Sequence, residues 1–575
     1  MMKKNNTKIQ LPEFTNFHLI IFGIFIVSLA IRIYGAYLIN LTSPEAEILL
    51  SLSKIKVSGS PTFFYGLVIR ILRFFGGNSD LGVRIVNGIL GALITTFPAL
   101  FYREIGKRTA IIASLLLSFD PFGIANSIVF SGNIATLFFL GLIINAILHG
   151  RSNLIHIVIL LFIGHGRGLG FFLSLILILL IILYFTKRNY FSNSVRIIKE
   201  NISQNINDTK SSPTIILVLI LALIFKIPLS NIASDLTSYI SGWGENYLTG
   251  NYPIVYPFAI ISSIPLALVA TLIFFLKGTG EGNKFKGISI LWLALTFIVI
   301  TFYPKHLIID LIWISIPLCI FTAIIIEEFI SQNIHLMKDD WPFIAVLFST
   351  GINFGLNLIA YVYRSIWGLD LTNTLLAILL IGIFAIILLL YKAYTSSLIK
   401  AFSSMVLVLL VFSGISQLSI SARAMGLNKK PENEILWNGY YEGKSIVSEI
   451  IATTKTSLIG TSGKLNVYID ELVRPVEIWT VNSENVYFRK SDLLSIRPDA
   501  LLTNIQTINF NKDTYQGQEF ISNSYPIWTW DPVSSYFSTD YWNWFFFRNN
   551  LQYKEYNFIW TNKSLLNNKI TNGAN

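Results

Sequence analysis

The chain has 575 residues, of which 53% are hydrophobic and 13% charged, where soluble domains carry about 25% charge. With a positive mean hydropathy, that balance excludes a soluble enzyme and indicates a polytopic membrane protein. The formal charge of +11 would suggest nucleic acid in a soluble chain. Here the basic residues sit between apolar runs, so they report membrane topology and nucleic acid is excluded as a partner. The single cysteine, Cys319, excludes a disulfide framework and a thiolate metal site.

The first apolar run, Phe17 to Leu38, is long enough to cross a bilayer and has no small-residue cleavage site, so it reads as an anchor and not a removed leader. Further runs follow near 79–103, 108–122, 132–149, 153–165, 168–186, 212–229, 253–277, 286–303, 305–327, 342–363, 370–393 and 398–420. Hydropathy therefore predicts roughly thirteen transmembrane helices, an all-α polytopic fold over 1–421. The apolar stretch 153–186 is broken at Gly164-His165-Gly166-Arg167-Gly168, which reads as a tight turn.

Lys3, Lys4, Arg103, Lys107, Arg108, Lys187, Arg188, Lys277, Lys338, Lys392 and Lys400 fall in alternate loops. The positive-inside rule makes those loops and the N-terminus cytoplasmic, in a multi-pass plasma-membrane protein. The Glu45 loop, the Arg167 turn and Lys305-His306 then face outward. In the first outer loop, residues 45–57 and 61–75 read as helices lying in the membrane interface. From about 422 the chain turns polar, with alternating runs such as Leu465-Asn466-Val467-Tyr468-Ile469. Residues 422–575 are read as a soluble extracytoplasmic α/β domain resting a Trp/Tyr cluster, Tyr525 to Phe547, on the interface.

Pro44-Glu45-Ala46-Glu47 puts two carboxylates at the membrane surface. Glu45, with Glu47 as a second choice, is the candidate general base. The competing reading is local: Thr42-Ser43-Pro44-Glu45 fits a capping box, with Glu45 reaching back to a free backbone N–H. Glu47 lies about 200° around a helix from Glu45, so the two do not converge on one ion. Arg84, Arg167, Lys305 and His306 are cations on the outer face, where an anion, and a lipid phosphate in particular, is the natural partner. The competing reading for each is a side chain snorkelling to water. Asp120, before Pro121, reads as a turn former. No His/Cys/Asp/Glu set has metal-ligand spacing, and no nucleotide-binding motif is present.

The order of these features resembles the GT-C membrane glycosyltransferases, in their protein O-mannosyltransferase and lipid A aminoarabinose transferase branch. The resemblance rests on the acidic motif after span one, on Pro61-Thr62-Phe63-Phe64-Tyr65, and on Phe74-Phe75-Gly76-Gly77-Asn78-Ser79-Asp80-Leu81-Gly82-Val83-Arg84. It rests further on Arg167-Gly168 and on Tyr303-Pro304-Lys305-His306. It implies a membrane enzyme that transfers a sugar from a polyprenyl-phosphate carrier to a protein or lipid acceptor on the outer face. By the same resemblance the cations hold the carrier phosphate, and a divalent metal ion stays open as a cofactor. The chain departs from that pattern at both acids: Pro44 stands where the first Asp falls, and Asn133 takes the second-acid position. A second reading, a catalytically inactive protein that binds or presents lipid-phosphate-linked sugar or scaffolds a partner, follows from that departure. A secondary transporter is disfavoured because the charges sit at span ends and not at the bilayer midplane.

Overall fold

The computed structural model describes residues 16–51, 63–74, 80–130, 132–148, 167–186, 255–277, 284–303, 307–427, 444–458, 463–470, 473–489, 498–504, 514–526 and 552–562, with isolated positions near 237–243, 436–443 and at 544. The membrane part runs α1 (Asn16–Leu38), α2 (Ser43–Ser51), α3 (Phe63–Phe74), α4 (Asp80–Thr95), α5 (Phe97–Leu100), α6 (Tyr102–Ile105), α7 (Lys107–Ser118), α8 (Pro121–Ile128), α9 (Gly132–Leu148) and α10 (Arg167–Thr186). It continues with α11 (Val255–Ser263), α12 (Pro265–Lys277), α13 (Lys284–Phe302), a 3-10 turn (Ile308–Leu311), α14 (Ile312–Asp339), α15 (Trp341–Ile366), α16 (Thr372–Thr395) and α17 (Leu398–Ala424).

The expectation of thirteen crossings is not met among the described residues. Five helices there are long and apolar enough to span a membrane, and a sixth crossing appears if the bent pair α7–α8 is taken as one. The difference has local causes. Pro121 follows a break at which α7 and α8 bend by 56°, since proline cannot donate to the preceding turn. Pro98 and Pro265 likewise divide the runs at 79–103 and 253–277 into shorter helices. The predicted spans at 153–165 and 212–229 lie outside the described residues.

The spans are not equivalent. The window from Ile308 to Asn333 is 89% buried, whereas that of α16 is 6% buried, so α14 is the axis of the bundle and α16 lies at its edge, packed against α15 and α17 with much of its apolar surface exposed. Arg32 and Asp120 are among the ionisable groups buried inside. Arg32 in the middle of α1, fully buried, donates through Nε to Ser127 Oγ (3.1 Å), through Nη1 to Ser28 O (3.1 Å) and Ser28 Oγ, and through Nη2 to Leu117 O (3.5 Å). Asp120 caps the start of α8, accepting from Gly123 N and Ser315 Oγ, each at 2.7 Å. That agrees with its reading as a turn former and ties the bend to α14. Gly91 permits the approach of α4 to α8: a Cβ there would stand 2.0 Å from Ser127 Oγ.

After α17 come α18 (Lys444–Leu458), β1 (Asn466–Asp470), α19 (Pro475–Thr480), β2 (Asn485–Arg489), β3 (Ala500–Thr503), β4 (Tyr515–Pro526) and β5 (Gln552–Asn562). They form one mixed sheet in the order β2-β1-β3-β5-β4. β1 pairs parallel with β2 and β3, and β5 pairs antiparallel with β3 and β4. The α19 connection gives β1 and β2 the long crossover that parallel pairing requires.

The first-loop helix does not lie free in an interface. Ala46, Leu49 and Leu50 of α2, with Ile69 of α3, belong to the same buried cluster as Val447, Val467, Ile469 and Val476 of the C-terminal region. The apolar face that reads as lipid-facing in sequence is therefore covered by protein, chiefly α19. Asn40 Nδ2 adds a hydrogen bond to Tyr441 O at 3.3 Å. Of the Trp/Tyr cluster, Trp544 is buried in the core of the bundle, and most of the rest lies outside the described residues.

This shared core gives a direct expectation. Leu50→Ala removes a fully buried side chain and should destabilise by about 2–5 kcal/mol. Hydrogen exchange should then quicken in β1 as well as in α2; unchanged β1 amides would mean that the sheet holds together without α2.

Candidate active site

α2 opens with the local geometry that its sequence encodes. Thr42 O accepts from Ala46 N at 3.0 Å, and Glu45 Oε2 accepts from Thr42 N at 2.9 Å. That is the reach-back half of a capping box. Thr42 Oγ1 also donates to Glu45 Oε2, at 2.9 Å. The other oxygen, Oε1, accepts from Phe130 N at 3.0 Å.

Arg84 of α4 completes the arrangement. Its Nε donates to Glu45 Oε1 at 2.8 Å and its Nη2 to Oε2 at 2.6 Å, a bidentate pair. Both side chains are buried, at 2% and 0% exposure. The remaining guanidinium protons go to Ala36 O (3.0 Å), Ile39 O (2.7 Å) and Asn40 O (2.9 Å) at the end of α1. Carbonyls at a helix end lack partners within the helix, and a cation there is favoured by the helix dipole. Arg84 thus has all five N–H donors engaged.

This geometry bears on two of the predicted site residues. Arg84 has no donor left for a carrier phosphate. Glu45, which accepts five hydrogen bonds, is held as a structural anion and not poised as a base. Sequence reasoning placed the capping box correctly but could not see Arg84, because that partner is 39 residues away.

Glu47 differs. It is half-buried in α2 and among the described residues makes no hydrogen bond or ion pair. Burial raises its carboxyl above the ordinary glutamate value. A group with its basicity raised and its oxygens uncommitted is the better proton acceptor of the two.

Asn133, at the second-acid position, is 3% exposed. Its Oδ1 accepts from Trp313 Nε1 at 3.1 Å, while its Nδ2 donates to Asn126 Oδ1 at 3.2 Å and to Asp310 Oδ1 at 2.9 Å. Asp310 Oδ2 accepts from Leu307 N at 3.0 Å, capping the 3-10 turn. Asn126 Nδ2 donates to Ile309 O at 2.6 Å, and Asn87 Nδ2 to Asn126 O at 2.7 Å and to Val129 O. A chain of amides thus runs from α4 to a buried carboxylate that sequence reasoning missed. Its only signal was an aspartate just inside an apolar run.

Described neighbours of the other predicted cations meet beside this chain. Arg167 begins α10. One turn on, Gly170 lies against Tyr239, where a Cβ would stand 2.3 Å from the ring. Tyr239 stacks on Tyr303 with centroids 4.5 Å apart, and Phe171 stacks on Trp313 at 4.9 Å. The Arg167 side chain, Lys305 and His306 lie outside the described residues. Their chain neighbours nevertheless place the start of α10, the end of α13 and the 3-10 turn together. Among the described residues no three His, Cys, Asp or Glu side chains gather at ion-binding distance. With Glu45 committed to Arg84, Glu47 is the acid of α2 with uncommitted oxygens among the described residues.

The pair gives a stability expectation. Arg84→Ala should cost about 3–5 kcal/mol by leaving Glu45 charged and buried, and the double variant Glu45→Gln/Arg84→Ala should cost clearly less than the sum of the single ones. Strict additivity in thermal unfolding of the detergent-solubilised protein would show that the two do not act as a unit.

No family model matches the chain, and no curated protein does. Two solved structures are similar to it. The crystal structure of ArnT from Cupriavidus metallidurans bound to undecaprenyl phosphate is 11% identical, with a TM-score of 0.44 over 83% of this chain and 85% of that one. The apo crystal structure of the same protein is 10% identical, with a TM-score of 0.42 over 82% and 84%.

Proposed function

We propose that this chain is a membrane glycosyltransferase of the GT-C type, which moves a sugar from a polyprenyl-phosphate carrier to a protein or lipid acceptor. The single observation that carries the reading is the convergence just described. Tyr303, two residues before Lys305, stacks on Tyr239, which lies against Gly170 of α10, and Phe171 stacks on Trp313, which donates to Asn133. This proximity of described neighbours supports one site for an anionic lipid head group.

In this reading the N-terminus is cytoplasmic and the membrane domain spans 1–421. The domain at 422–575 stands outside the cell and covers α2. The acceptor hydroxyl attacks the anomeric carbon and its proton passes to the Glu47 carboxylate. The bond from that carbon to the phosphate oxygen breaks, and the phosphate leaves with the electron pair. Arg167, Lys305 and His306 stabilise the charge that develops there, which is the large term in such reactions. Asn133 takes no proton and serves as a neutral donor within the amide chain. Glu45 and Arg84 fix the frame from which α2 presents Glu47.

Glu47→Gln should lower kcat by about 10²–10⁴-fold and leave polyprenyl-phosphate affinity unchanged. Full turnover by that variant would remove Glu47 as the base. Carrier binding without turnover in the unmodified protein, across a panel of acceptors, would favour the inactive carrier-binding reading. The pH profile carries a second expectation. The base works as the carboxylate, and burial favours its neutral form. The acid limb of kcat/KM should therefore lie above the ordinary glutamate range of about 4.3. A limb at or below that range would be inconsistent with Glu47.

A further inference from the structure

One side of α15 is exposed within the membrane and is not composed for lipid. The opposite side turns inward: a Cβ on Gly351 would stand 2.6 Å from Phe412 Cε2 of α17. On the outer side Val346, Ser349, Asn353, Leu356 and Tyr363 are exposed, and Ala360 is half-buried. Their spacing alternates between three and four residues, the seam of a contact between two helices.

Asn353 sits at the middle of that seam and of the span. Trp341 and Trp367, 64% and 66% exposed, stand at the two ends of the helix, where membrane interfaces hold such rings. Asn353 is about 18 Å from one and about 21 Å from the other along the axis, near the centre of a hydrocarbon layer about 30 Å thick. Its Nδ2 donates to Ser349 O at 3.1 Å, and Asn357 Nδ2 donates to Asn353 O at 2.9 Å. A carbonyl only accepts, so each amide turns its NH₂ to the helix backbone and its oxygen away. Among the described residues nothing donates to either oxygen, and lipid tails offer no donor. The neighbouring α16 shows what lipid alone requires: from Leu375 to Leu390 it carries no polar side chain.

We propose that this face of α15 is the interface of a homodimer within the membrane, with Asn353 at its two-fold axis. Two copies inserted alike close into a dimer about an axis along the membrane normal. α15 then runs parallel to α15 of the second copy, and each residue at the crossing meets its own counterpart. Such a position needs a side chain that both donates and accepts. Asparagine does both: the second N–H of one Nδ2 donates to Oδ1 of the other copy. One asparagine in an otherwise apolar seam is also the device that fixes register in a parallel pair. Ser349 and Ala360, on the same face, are small enough for the two backbones to approach.

The test uses the purified full chain in liposomes. Its single cysteine, Cys319, is buried, so an introduced thiol is the accessible one. Ser349→Cys, which keeps both amides, should form a disulfide-linked dimer under mild oxidant, and Leu379→Cys on the exposed surface of α16 should not. Single-molecule photobleaching across a range of protein-to-lipid ratios measures the affinity separately. The unmodified chain should dimerise, and Asn353→Leu, which lipid tolerates, should weaken the dimer by on the order of tenfold. A chain that stays monomeric at every ratio would overturn the proposal and leave the face to lipid or to a different protein. Undiminished dimerisation of Asn353→Leu would also overturn it, as would a dimer that cross-links at position 379 as readily as at 349, or not at 349 at all.

Discussion

The buried pair between Glu45 and Arg84 is the constraint on which the candidate site depends. Two charges without access to water are costly, and their attraction offsets that cost only when every remaining donor and acceptor is satisfied. Here the satisfaction is complete for Arg84, which uses carbonyls at the end of α1, while Glu45 accepts from the backbone at Thr42 and at Phe130. The pair therefore acts as a joint. It sets the angle at which the chain leaves the first span and the register of α2 against α4. It also sets the distance to the segment that leads into Asn133.

Around that joint the protein divides its polar groups by purpose. Arg32 and Asp120 sit deep in the bundle; Arg32 is consumed by hydroxyls and carbonyls, and Asp120 spends Oδ2 on a helix start and Ser315 while its buried Oδ1 has no hydrogen-bond partner among the described residues. The amide chain Asn87–Asn126–Asn133 ends on Asp310, which also accepts from Leu307 N at the start of the 3-10 turn. Glu47 alone among the acids of α2 retains uncommitted oxygens among the described residues, on a helix whose other face is buried against the C-terminal region. A carboxylate on a rigid, doubly packed element is well suited to proton transfer, because its position does not relax when the substrate arrives.

The polar C-terminal region is more than an appendage in this arrangement. Its core is continuous with α2 and α3, so folding of the sheet and placement of the first loop are one event. The crossover helix α19 between β1 and β2 supplies much of that contact. A ligand held by the sheet would be felt at α2 through packed side chains and not through a flexible tether.

Local signals were legible in the residues themselves. The capping box spans three positions, the strand at Leu465 to Ile469 alternates, and Asp120-Pro121 starts a helix, all through contacts between near neighbours. Hydropathy identified apolar helices but counted more crossings than the described residues show: a window average does not register the proline breaks at Pro98, Pro121 and Pro265, and two predicted spans lie outside the described residues. It also assigned the apolar face of α2 to lipid, since apolar surface carries no mark of what will cover it. The sequence by itself determined a membrane chain with a polar C-terminal region and a short set of ionisable candidates. Which candidates are spent on structure and which remain for chemistry was decided only in the tertiary fold. A buried charge is defined by its partners, and Arg84 lies 39 residues from Glu45 and Asp310 177 from Asn133.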